Sequence, residues 1–214
     1  MSRDEVALVL LAAGLSQRFG SAKQLHPIDG RPLVRLQAEK ALASRADRVI
    51  VVEGAYREEV RAALAGLALE EVFNPDFASG QSSSVRRGLA AARQHGAAAV
   101  LFLPVDLPFL AVASLDRLIL AWQEAAADAR PAAVVPTYGG ERGAPVLFDQ
   151  RLFDPLAALD GDQGGRVLLP RYPREIREVV IADPLEGRDL DVREDLSDLL
   201  PTPPSESGPN RRKL

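Results

Sequence analysis

The amino-acid sequence predicts a three-layer α/β fold, in which a mostly parallel sheet is covered by helices on both faces. Short runs of leucine and β-branched residues alternate along the chain with segments of helical period. These runs are apolar throughout, which is typical of parallel strands that are buried on both faces. Strands that alternate with helical segments indicate a parallel sheet with its connections above and below it.

Each element of this fold is predicted from its own stretch of sequence. Strands are predicted over residues 6–12, 49–52, 98–103 and 132–135, with a weaker one over 70–73. Helices are predicted over residues 32–43, 57–67, 82–94 and 113–127. After Pro136 the pattern loosens into a strand at 146–148, short helices near 149–158 and 165–171, and a strand at 176–181. We interpret this second half as additions that shape a substrate pocket.

Length and composition predict one domain over residues 1–200 and a disordered tail over residues 201–214. A chain of 214 residues can bury one good core, and its unbroken alternation favours one domain over two. The last stretch is rich in proline, serine and charged residues and has little to bury. The sequence contains no leader pattern and no run of about 20 apolar residues, so we expect a cytoplasmic protein without membrane contacts.

Charge and residue usage exclude several classes of chemistry. Lysine and arginine total 26 against 30 acidic residues, so the net charge of −4 provides no general field that attracts nucleic acid. An anionic ligand must therefore be met by local cations. The absence of cysteine excludes disulfides, a cysteine nucleophile and thiolate metal sites. The two histidines are too few for a histidine-rich metal cage.

The loop after the first strand has the composition of a phosphate-binding loop but not the spacing of a P-loop. A P-loop reads G-x-x-x-x-G-K-[ST], and its hydroxyl residue holds Mg²⁺. Here five residues separate Gly14 from Gly20, Lys23 follows three positions after Gly20, and Gln24 stands where the hydroxyl residue would be. If this loop binds a nucleotide, the metal must be held elsewhere.

The same loop offers small residues and two cations. Ala12, Ala13 and Gly14 let the backbone approach a base or a phosphate, while Arg18 and Lys23 supply positive charge. The alternative is a solvated turn that happens to carry two charges. A position directly after the first strand favours a binding loop, because α/β folds bind phosphates there.

A second loop, before the predicted helix at residue 82, also resembles a ligand site. Gly80 and three consecutive serines, from Ser82 to Ser84, offer backbone N–H and hydroxyl donors at a helix N-terminus. Plain helix capping explains one serine but does not require three.

The candidate metal ligands are two carboxylates, one at the end of a buried strand and one in a later extended segment. Asp106 ends a buried run between Pro104 and Pro108, an arrangement in which Mg²⁺ ligands are often displayed; the alternative is an aspartate that forms a turn. Asp189 and Asp191 share one face of an extended segment, and Asp191 is the candidate partner ligand. The acids at 194 and 195 are interpreted as helix-terminal and structural.

Two glycine-rich stretches in the second half suggest a substrate pocket. Gly143 and the glycines at 161, 164 and 165 permit close backbone approach, and polar ligand groups could be oriented by Arg142, Asp162 and Arg166. Simple turn chemistry explains both stretches nearly as well.

Five motifs in the same order give the chain a resemblance to the molybdenum-cofactor nucleotidyltransferases, most closely to their cytidylyltransferases. "LAAGLSQRFGSAKQL" resembles the family loop L-A-[AG]-G-x-S-x-R-x-G-x-x-K-x-L, and "SGQSSSVRRGL" its base-reading segment. "VDLPFL" is similar to the metal-binding aspartate motif, while "GDQGGR" and "DLDVREDL" resemble the later substrate-side and second-metal-ligand motifs. The resemblance covers about residues 6–200.

The resemblance implies a Rossmann-like nucleotidyltransferase fold and a specific reaction. The enzyme would transfer CMP from CTP to the terminal phosphate of a molybdopterin-type cofactor, with Mg²⁺ on Asp106 and Asp191 and with Arg18 and Lys23 as catalytic cations. Nucleotide contacts would come from Leu11, Ala12, Ala13, Gly14, Lys23, Gly80, Gln81, Ser82 and Ser83, and acceptor contacts from Gly143, Asp162 and Arg166. A molybdoenzyme or its maturation chaperone would receive the product.

Ala13 favours CTP as the nucleotide, whereas Ala144 leaves the identity of the acceptor undetermined. Ala13 resembles the cytidylyl branch, whereas guanylyl members usually carry glycine there; Ala144 stands where the family often has histidine. The alternatives are a nucleotidyltransferase for GTP or for another phosphorylated acceptor, such as a phosphosugar or alcohol phosphate, and a non-catalytic cofactor-binding module. An NAD-dependent redox protein is a further alternative, although no G-x-G-x-x-G follows the first strand to support Glu53 as a ribose ligand.

Overall fold

The computed structural model describes residues 4–16 and 19–190. Its strands are β1 (Val6–Ala12), β2 (Pro27–Ile28), β3 (Arg31–Pro32), β4 (Arg48–Glu53), β5 (Glu70–Phe73), β6 (Ala99–Pro104), β7 (Ala133–Tyr138), β8 (Glu141–Arg142), β9 (Val146–Asp149) and β10 (Ile176–Ile181). Its α-helices are α1 (Leu33–Ala43), α2 (Arg57–Leu64), α3 (Gln81–Gln94), α4 (Val112–Gln123) and α5 (Phe153–Ala157). Short 3₁₀ helices lie between them, including one at Gly165–Arg171.

The main sheet is mixed but mostly parallel, as the sequence predicts. Its strands lie in the order β10-β7-β9-β6-β1-β4-β5, and the short β8 pairs with β7. β1 is parallel to both neighbours, β4 and β6, while β9 runs antiparallel to β6 and β7. The chain first builds outward from β1 through β4 and β5 and then crosses to β6 on the other side. In open α/β sheets a crevice forms at such a reversal, outside the carboxyl ends of the strands.

Helices cover both faces of the sheet, which confirms the three-layer prediction. Along β1, Leu8 and Leu10 pack into the core beneath α1, α2 and α4, whereas Ala7 and Val9 pack into the core beneath α3 and α5. Side chains alternate between the two faces of a strand, so both sets must be apolar for the strand to be buried on both sides. This is why the β1 sequence is an unbroken apolar run.

Two predicted helices are shorter in the structure. α2 ends at Leu64 and α4 at Gln123, so both stop at or just after their last fully buried residue, Leu64 and Trp122 respectively. Helices in proteins are held mainly by packing of an apolar face, and exposed alanines beyond that face do not extend them. The predicted helix over 149–158 splits into a 3₁₀ turn at Gln150–Leu152 and α5.

β7 continues past Pro136, where the sequence pattern loosens. Its ladder with β9 includes only Ala133 and Val134, and Pro136 lies opposite Val179 of β10. Proline is tolerated in a strand where a neighbouring ladder has ended. The pattern alone does not reveal where that ladder stops.

Two small hairpins were not predicted. β2 and β3 are joined by Asp29 and Gly30, both at positive φ, and β7 and β8 by Gly139 and Gly140. Asp-Gly and Gly-Gly pairs are hairpin signals that the sequence did contain.

No helix within the described residues is long and apolar enough to cross a membrane. The division into one domain over residues 1–200 stays a prediction, and the predicted tail lies outside the described residues.

Candidate nucleotide-binding site

An open cleft of about 660 Å³ lies at the carboxyl ends of β1 and β6. It is lined by residues from the loops after these strands, from the start of α3 and from one later loop: Leu11, Ala13, Gly14, Leu15, Ser16, Phe19, Lys23, Gln24, Phe77, Ala78, Ser79, Gly80, Gln81, Ser84, Pro104, Val105, Asp106 and Asp162. Candidate residues that the sequence places far apart therefore meet in one cleft at the switch point of the sheet.

Lys23 and Asp106 form an ion pair in this cleft. Lys23 Nζ donates to Asp106 Oδ2 at 2.9 Å, and the two side chains are 14% and 25% exposed. The loops that carry them are tied together because Leu11 pairs with Pro104 and Val105 N–H donates to the Leu11 carbonyl at 3.3 Å. The cleft thus presents a cation and a carboxylate side by side, with enough exposure for a ligand to reach both.

The small residues after β1 have different surroundings. The Ala12 side chain is buried in the core on the α1 face, so its approach to a ligand is limited to the backbone. Ala13 packs against Gly54, where a Cβ would lie 2.4 Å from the Ala13 carbonyl oxygen. Ala55 N–H donates to that same carbonyl. Gly54 therefore lets the loop after β4 support the floor of the cleft.

The loop before α3 is held by the glycine-rich loop at 161–162. Gly80 has a φ of +110°, and a Cβ there would lie 2.4 Å from the Gly161 carbonyl carbon. Ser82 N–H donates to the Gly161 carbonyl at 3.2 Å, and Gln81 N–H lies 3.4 Å from Asp162 Oδ1. Asp162, an expected acceptor-side residue, thus lies at the start of α3 beside the expected base-reading residues.

The three serines are buried, and two of them hold the loop through side-chain hydrogen bonds. Asn74 Nδ2 donates to Ser83 Oγ at 2.8 Å and to Ser84 Oγ at 3.0 Å, and Ser83 Oγ donates to the Gly80 carbonyl at 2.8 Å. The N-cap of α3 is Gly80, without a side-chain capping bond. Ser82 Oγ is buried with no hydrogen-bond partner among the described residues. Plain capping by a serine is therefore not observed, and of the three serines only Ser84 lines the cleft.

Asn74 is a residue that the sequence analysis missed. It follows β5, is fully buried, and accepts a hydrogen bond from Asp76 N–H while its own amide nitrogen holds two serines. An Asn-Pro pair directly after a strand is a turn signal that marks this position.

A second, apolar cavity of about 140 Å³ opens beside the cleft. Leu11, Gln81 and Pro104 line both cavities; the second is also lined by Val85, Phe102, Ala144, Val146, Phe148, Gly164, Gly165, Arg166 and Val167. Gly143 lines neither and lies against the Tyr138 ring, which a Cβ would meet at 2.5 Å. Of the expected acceptor-side residues, Arg166 thus borders the apolar cavity and Asp162 the cleft.

Of the two predicted metal ligands, Asp106 lies within the described residues and Asp191 lies outside them. The described residues contain no group of three or more potential metal-ligating side chains. Leu190 N–H donates to the Asp106 carbonyl at 3.0 Å, so the chain reaches Asp106 one residue before Asp191. Asp191 and Arg18 themselves lie outside the described residues.

The loop after Asp106 is anchored by α1 and by a later turn. The Gln37 side chain donates to the Leu107 carbonyl, and Lys40 Nζ donates to the Pro108 carbonyl at 2.6 Å. Glu186 accepts from Ala111 N–H at 2.8 Å. Burial lowers the pKa of Lys40, although the nearby Glu186 opposes this shift. These three residues fix the backbone that presents Asp106.

Glu53 is a buried carboxyl at the end of β4. Its side chain is 1% exposed and lies 3.4 Å from Arg57 Nε. Burial, together with the hydrogen bond and negative charge of Glu71, raises the pKa of Glu53 to about 8, against the opposing charges of Arg57 and Arg61. The carboxyl is enclosed with α2 and β5 and is not part of the cleft lining.

Comparison with known proteins identifies the family. Residues 8–176 match the MobA-like NTP transferase domain. The chain is 33% identical over 195 residues to a nicotine blue oxidoreductase from Paenarthrobacter nicotinovorans, covering 90% of this chain and 95% of that protein. It is 32% identical over 168 residues to the purine catabolism protein PucB from Bacillus subtilis, covering 75% and 78%.

Solved structures share this fold. Rv0371c from Mycobacterium tuberculosis superimposes with a TM-score of 0.78 at 28% identity, covering 94% of this chain and 99% of that one. A crystal structure of Rv0371c in complex with manganese superimposes with a TM-score of 0.74. The family match spans most of the chain and includes most of β1, the loop before α3 and Asp106. The chain belongs to the MobA-like NTP transferase family.

Proposed function

We propose that this nucleotidyltransferase transfers CMP from CTP to the terminal phosphate of a molybdopterin-type cofactor and releases pyrophosphate. The Lys23–Asp106 pair in the cleft carries the proposal, because it combines a phosphate-binding cation with a metal-binding carboxylate next to a loop that can hold a base. The choice of CTP rests on Ala13, and the choice of acceptor rests on the motif resemblance at 161–166 and 189–195.

The reaction needs positioning and charge neutralisation more than a protein nucleophile. An oxygen of the acceptor phosphate attacks the α-phosphorus of CTP; the new P–O bond forms while the bond to the β-phosphate breaks in line, and pyrophosphate leaves. A phosphate is already nucleophilic, so no cysteine, serine or histidine base is required. Lys23 and Arg18 would balance the negative charge that develops on the leaving pyrophosphate.

The donor set at Asp106 fits a hard divalent cation. Mg²⁺ is usually bound in proteins by about one or two carboxylates together with substrate phosphates and water. Asp106 would hold it, with Asp191 as the partner ligand, and the bound ion would supply positive charge to the α-phosphate and the acceptor. A protein of the same fold, Rv0371c, has been crystallised with manganese, which supports a divalent cation at this site.

A redox function is the second candidate, because one relative is named an oxidoreductase. A dinucleotide-binding sheet of this type uses an acid near the end of its second strand to bind the ribose. Here the second strand of the main sheet along the chain is β4, and the acid at its end is Glu53. Glu53 is 1% exposed and pairs with Arg57, so it is not presented to a ligand. The burial of Glu53 therefore favours nucleotidyl transfer.

The decisive experiment measures pyrophosphate release from each of the four NTPs with Mg²⁺, with and without molybdopterin cofactor. Release from CTP that requires the cofactor supports the proposal; release from GTP would reassign the nucleotide. CTP binding without release would redirect the search to another phosphorylated acceptor such as a phosphosugar or alcohol phosphate. Oxidation of NADH or NADPH, with no NTP turnover, would replace the proposal with the redox function.

A further inference from the structure

We propose that Gln24 is a positioning residue that shapes the loop after β1 for the triphosphate and holds Lys23 in place. Gln24 occupies the sequence position at which a P-loop carries its metal-binding hydroxyl. The inference deepens the proposed function and rests on it for the identity of the nucleotide. Its structural part concerns the loop alone and can be tested without turnover.

The Gln24 side chain ties together both ends of the loop. It is 2% exposed, and its Nε2 donates to the Gly14 carbonyl at 3.2 Å. Its Oε1 accepts from Ser16 Oγ at 2.8 Å, and the same Ser16 oxygen accepts from Lys23 N–H at 3.1 Å. One buried amide thus connects the first residues of the loop to the backbone of the lysine that reaches Asp106.

Ser16 shows why such a tie is needed. Its φ is +53°, a left-handed conformation that is unfavourable for a residue other than glycine. Conformations of this kind persist where surrounding contacts determine them, and here the described contacts include the Gln24 amide, Lys23 N–H and Phe19 N–H, which donates to the Ser16 carbonyl at 3.1 Å. Without Gln24, Ser16 would relax, and both the Gly14 backbone and the Lys23 side chain would lose their common support.

This arrangement assigns the two functions of a P-loop to different parts of the fold. In the P-loop one segment cradles phosphate and also supplies the metal-binding hydroxyl. Here the buried Gln24 side chain shapes the phosphate-binding loop, while Asp106, at the end of β6, would bind the cation. A buried amide suits the inward role because it donates and accepts at once, as Gly14 and Ser16 require.

The test compares Gln24→Met, which keeps the length of the side chain and removes both hydrogen bonds, with Trp122→Phe. The control also removes one buried hydrogen bond, from Trp122 Nε1 to Asp149 Oδ2, at the amino-end edge of the sheet. We expect Gln24→Met to lower kcat/KM for CTP on the order of 10²-fold, as expected for an ångström-scale misplacement, and Trp122→Phe to leave it unchanged. The KM for the acceptor should be the same in both variants.

Gln24→Glu supplies a readout that a loss of stability would not produce. A protonated glutamic acid can donate to Gly14 and accept from Ser16, whereas the carboxylate cannot donate. The activity of Gln24→Glu relative to wild type should therefore rise as the pH falls, while the ratio for Gln24→Met stays flat. Equal pH dependence of the two variants, or an unchanged kcat/KM in Gln24→Met, would overturn the assignment.

Hydrogen exchange in the ligand-free protein separates this inference from the proposed reaction. Gln24→Met should increase exchange of the Lys23 amide and its neighbours in the loop, and Ser16→Ala should do the same with little further effect in the double variant. Unchanged exchange would refute the role of Gln24 whatever the substrate. Faster exchange in an enzyme that does not use CTP would instead refute the proposed function alone.

Discussion

At the scale of single residues, the proposed function assigns the exchange of charge on binding to the Asp106–Lys23 pair. Each partner neutralises the other at 2.9 Å in the described structure. A triphosphate brings negative charge that Lys23 can take up, and a divalent cation brings positive charge that Asp106 can take up. On binding, Lys23 would exchange Asp106 for the triphosphate, and Asp106 would exchange Lys23 for the cation.

Asp106→Ala should abolish turnover and leave the protein folded. Loss of such a charged group typically costs on the order of 10² to 10⁴ in rate, while the carboxylate is a quarter exposed and contributes little to the core. Pyrophosphate release and the unfolding midpoint measure the two effects. Asp154→Ala, which breaks an exposed pair with Arg93, is the matched control and should stay active. An active, Mg²⁺-dependent Asp106→Ala enzyme would contradict the metal assignment.

Ala13→Gly should weaken the preference for CTP over GTP. The Ala13 methyl is buried against Gly54 at the floor of the cleft, so its removal leaves more room for a larger base. The ratio of kcat/KM for the two nucleotides is the measurement. Ala12→Gly changes the backbone freedom of the same loop, but its methyl faces the core, and it should leave the ratio unaltered. An unchanged ratio in Ala13→Gly would mean that the base is read elsewhere, for example at Gln81.

Glu53 should make the protein less stable as the pH rises. Its pKa is about 8 in the folded state and near the ordinary 4.5 when unfolded. Between these values the folded state keeps a proton that the unfolded state has released, so the free energy of unfolding falls by at most about 1.4 kcal/mol per pH unit. Glu53→Gln should remove this fall and be more stable than wild type at pH 9. Chemical denaturation at several pH values tests this, with the exposed Glu59→Gln as control; identical slopes in Glu53→Gln and wild type would refute it.

At the scale of elements, the loop before α3 depends on the approach of the loop at 161. Gly80→Ala adds a Cβ that would meet the Gly161 backbone at 2.4 Å at a φ of +110°. We expect a raised KM for CTP, because the displaced backbone carries the N–H groups at the start of α3. Gly96→Ala also places a side chain at a positive φ, +74°, but with nothing within 4 Å and away from the cleft, so it lacks the clash and should leave the KM unchanged. Equal KM values in the two variants would show that contact with the loop at 161 is irrelevant to binding.

The central strands β1, β4 and β6 were predictable from sequence because they are buried on both sides, whereas β5 is a half-exposed edge strand with a weaker signal. β1 and β5 have the predicted bounds, and β4 and β6 differ by a residue or two at their ends. Apolar runs report burial directly, whereas the ends of α2 and α4 depend on where packing stops, which the local sequence does not encode. The hairpins at Asp29 and Gly139 were signalled by their turn residues alone.

The cleft was predictable only in part. Glycines and charged residues at strand ends indicated the loops at 14, 80 and 106, since ligands gather at that edge of the sheet. The residues that hold these loops from inside could not be predicted from sequence. Asn74 bonds Ser83, 9 residues away, and Gln24 bonds Ser16, 8 residues away, and only the fold determines how these side chains are oriented. Neither carries a charge, so composition gave no reason to select them.

At the scale of the whole molecule, the strand order brings ligand contacts from both halves of the chain into one crevice. The lining residues between 11 and 16, between 19 and 24 and between 77 and 84 come from the earlier part of the chain, and Asp106 and Asp162 from later segments. A bound nucleotide would therefore link elements that fold from distant parts of the sequence. Binding to the folded state alone stabilises the protein by mass action.

CTP with Mg²⁺ should raise the unfolding temperature of the whole protein. At a ligand concentration of about 100 times Kd the stabilisation is about 2.7 kcal/mol, which for a chain of this size corresponds to about 5–10 °C. The shift should shrink in Lys23→Ala, which removes the proposed phosphate-binding cation, and persist in Arg35→Ala, whose guanidinium donates to the Ala63 carbonyl away from the cleft lining. NAD⁺ should produce no shift, because Glu53 is enclosed between α2 and β5. A shift with NAD⁺ and none with CTP would mean that the crevice at the switch point serves the redox function instead.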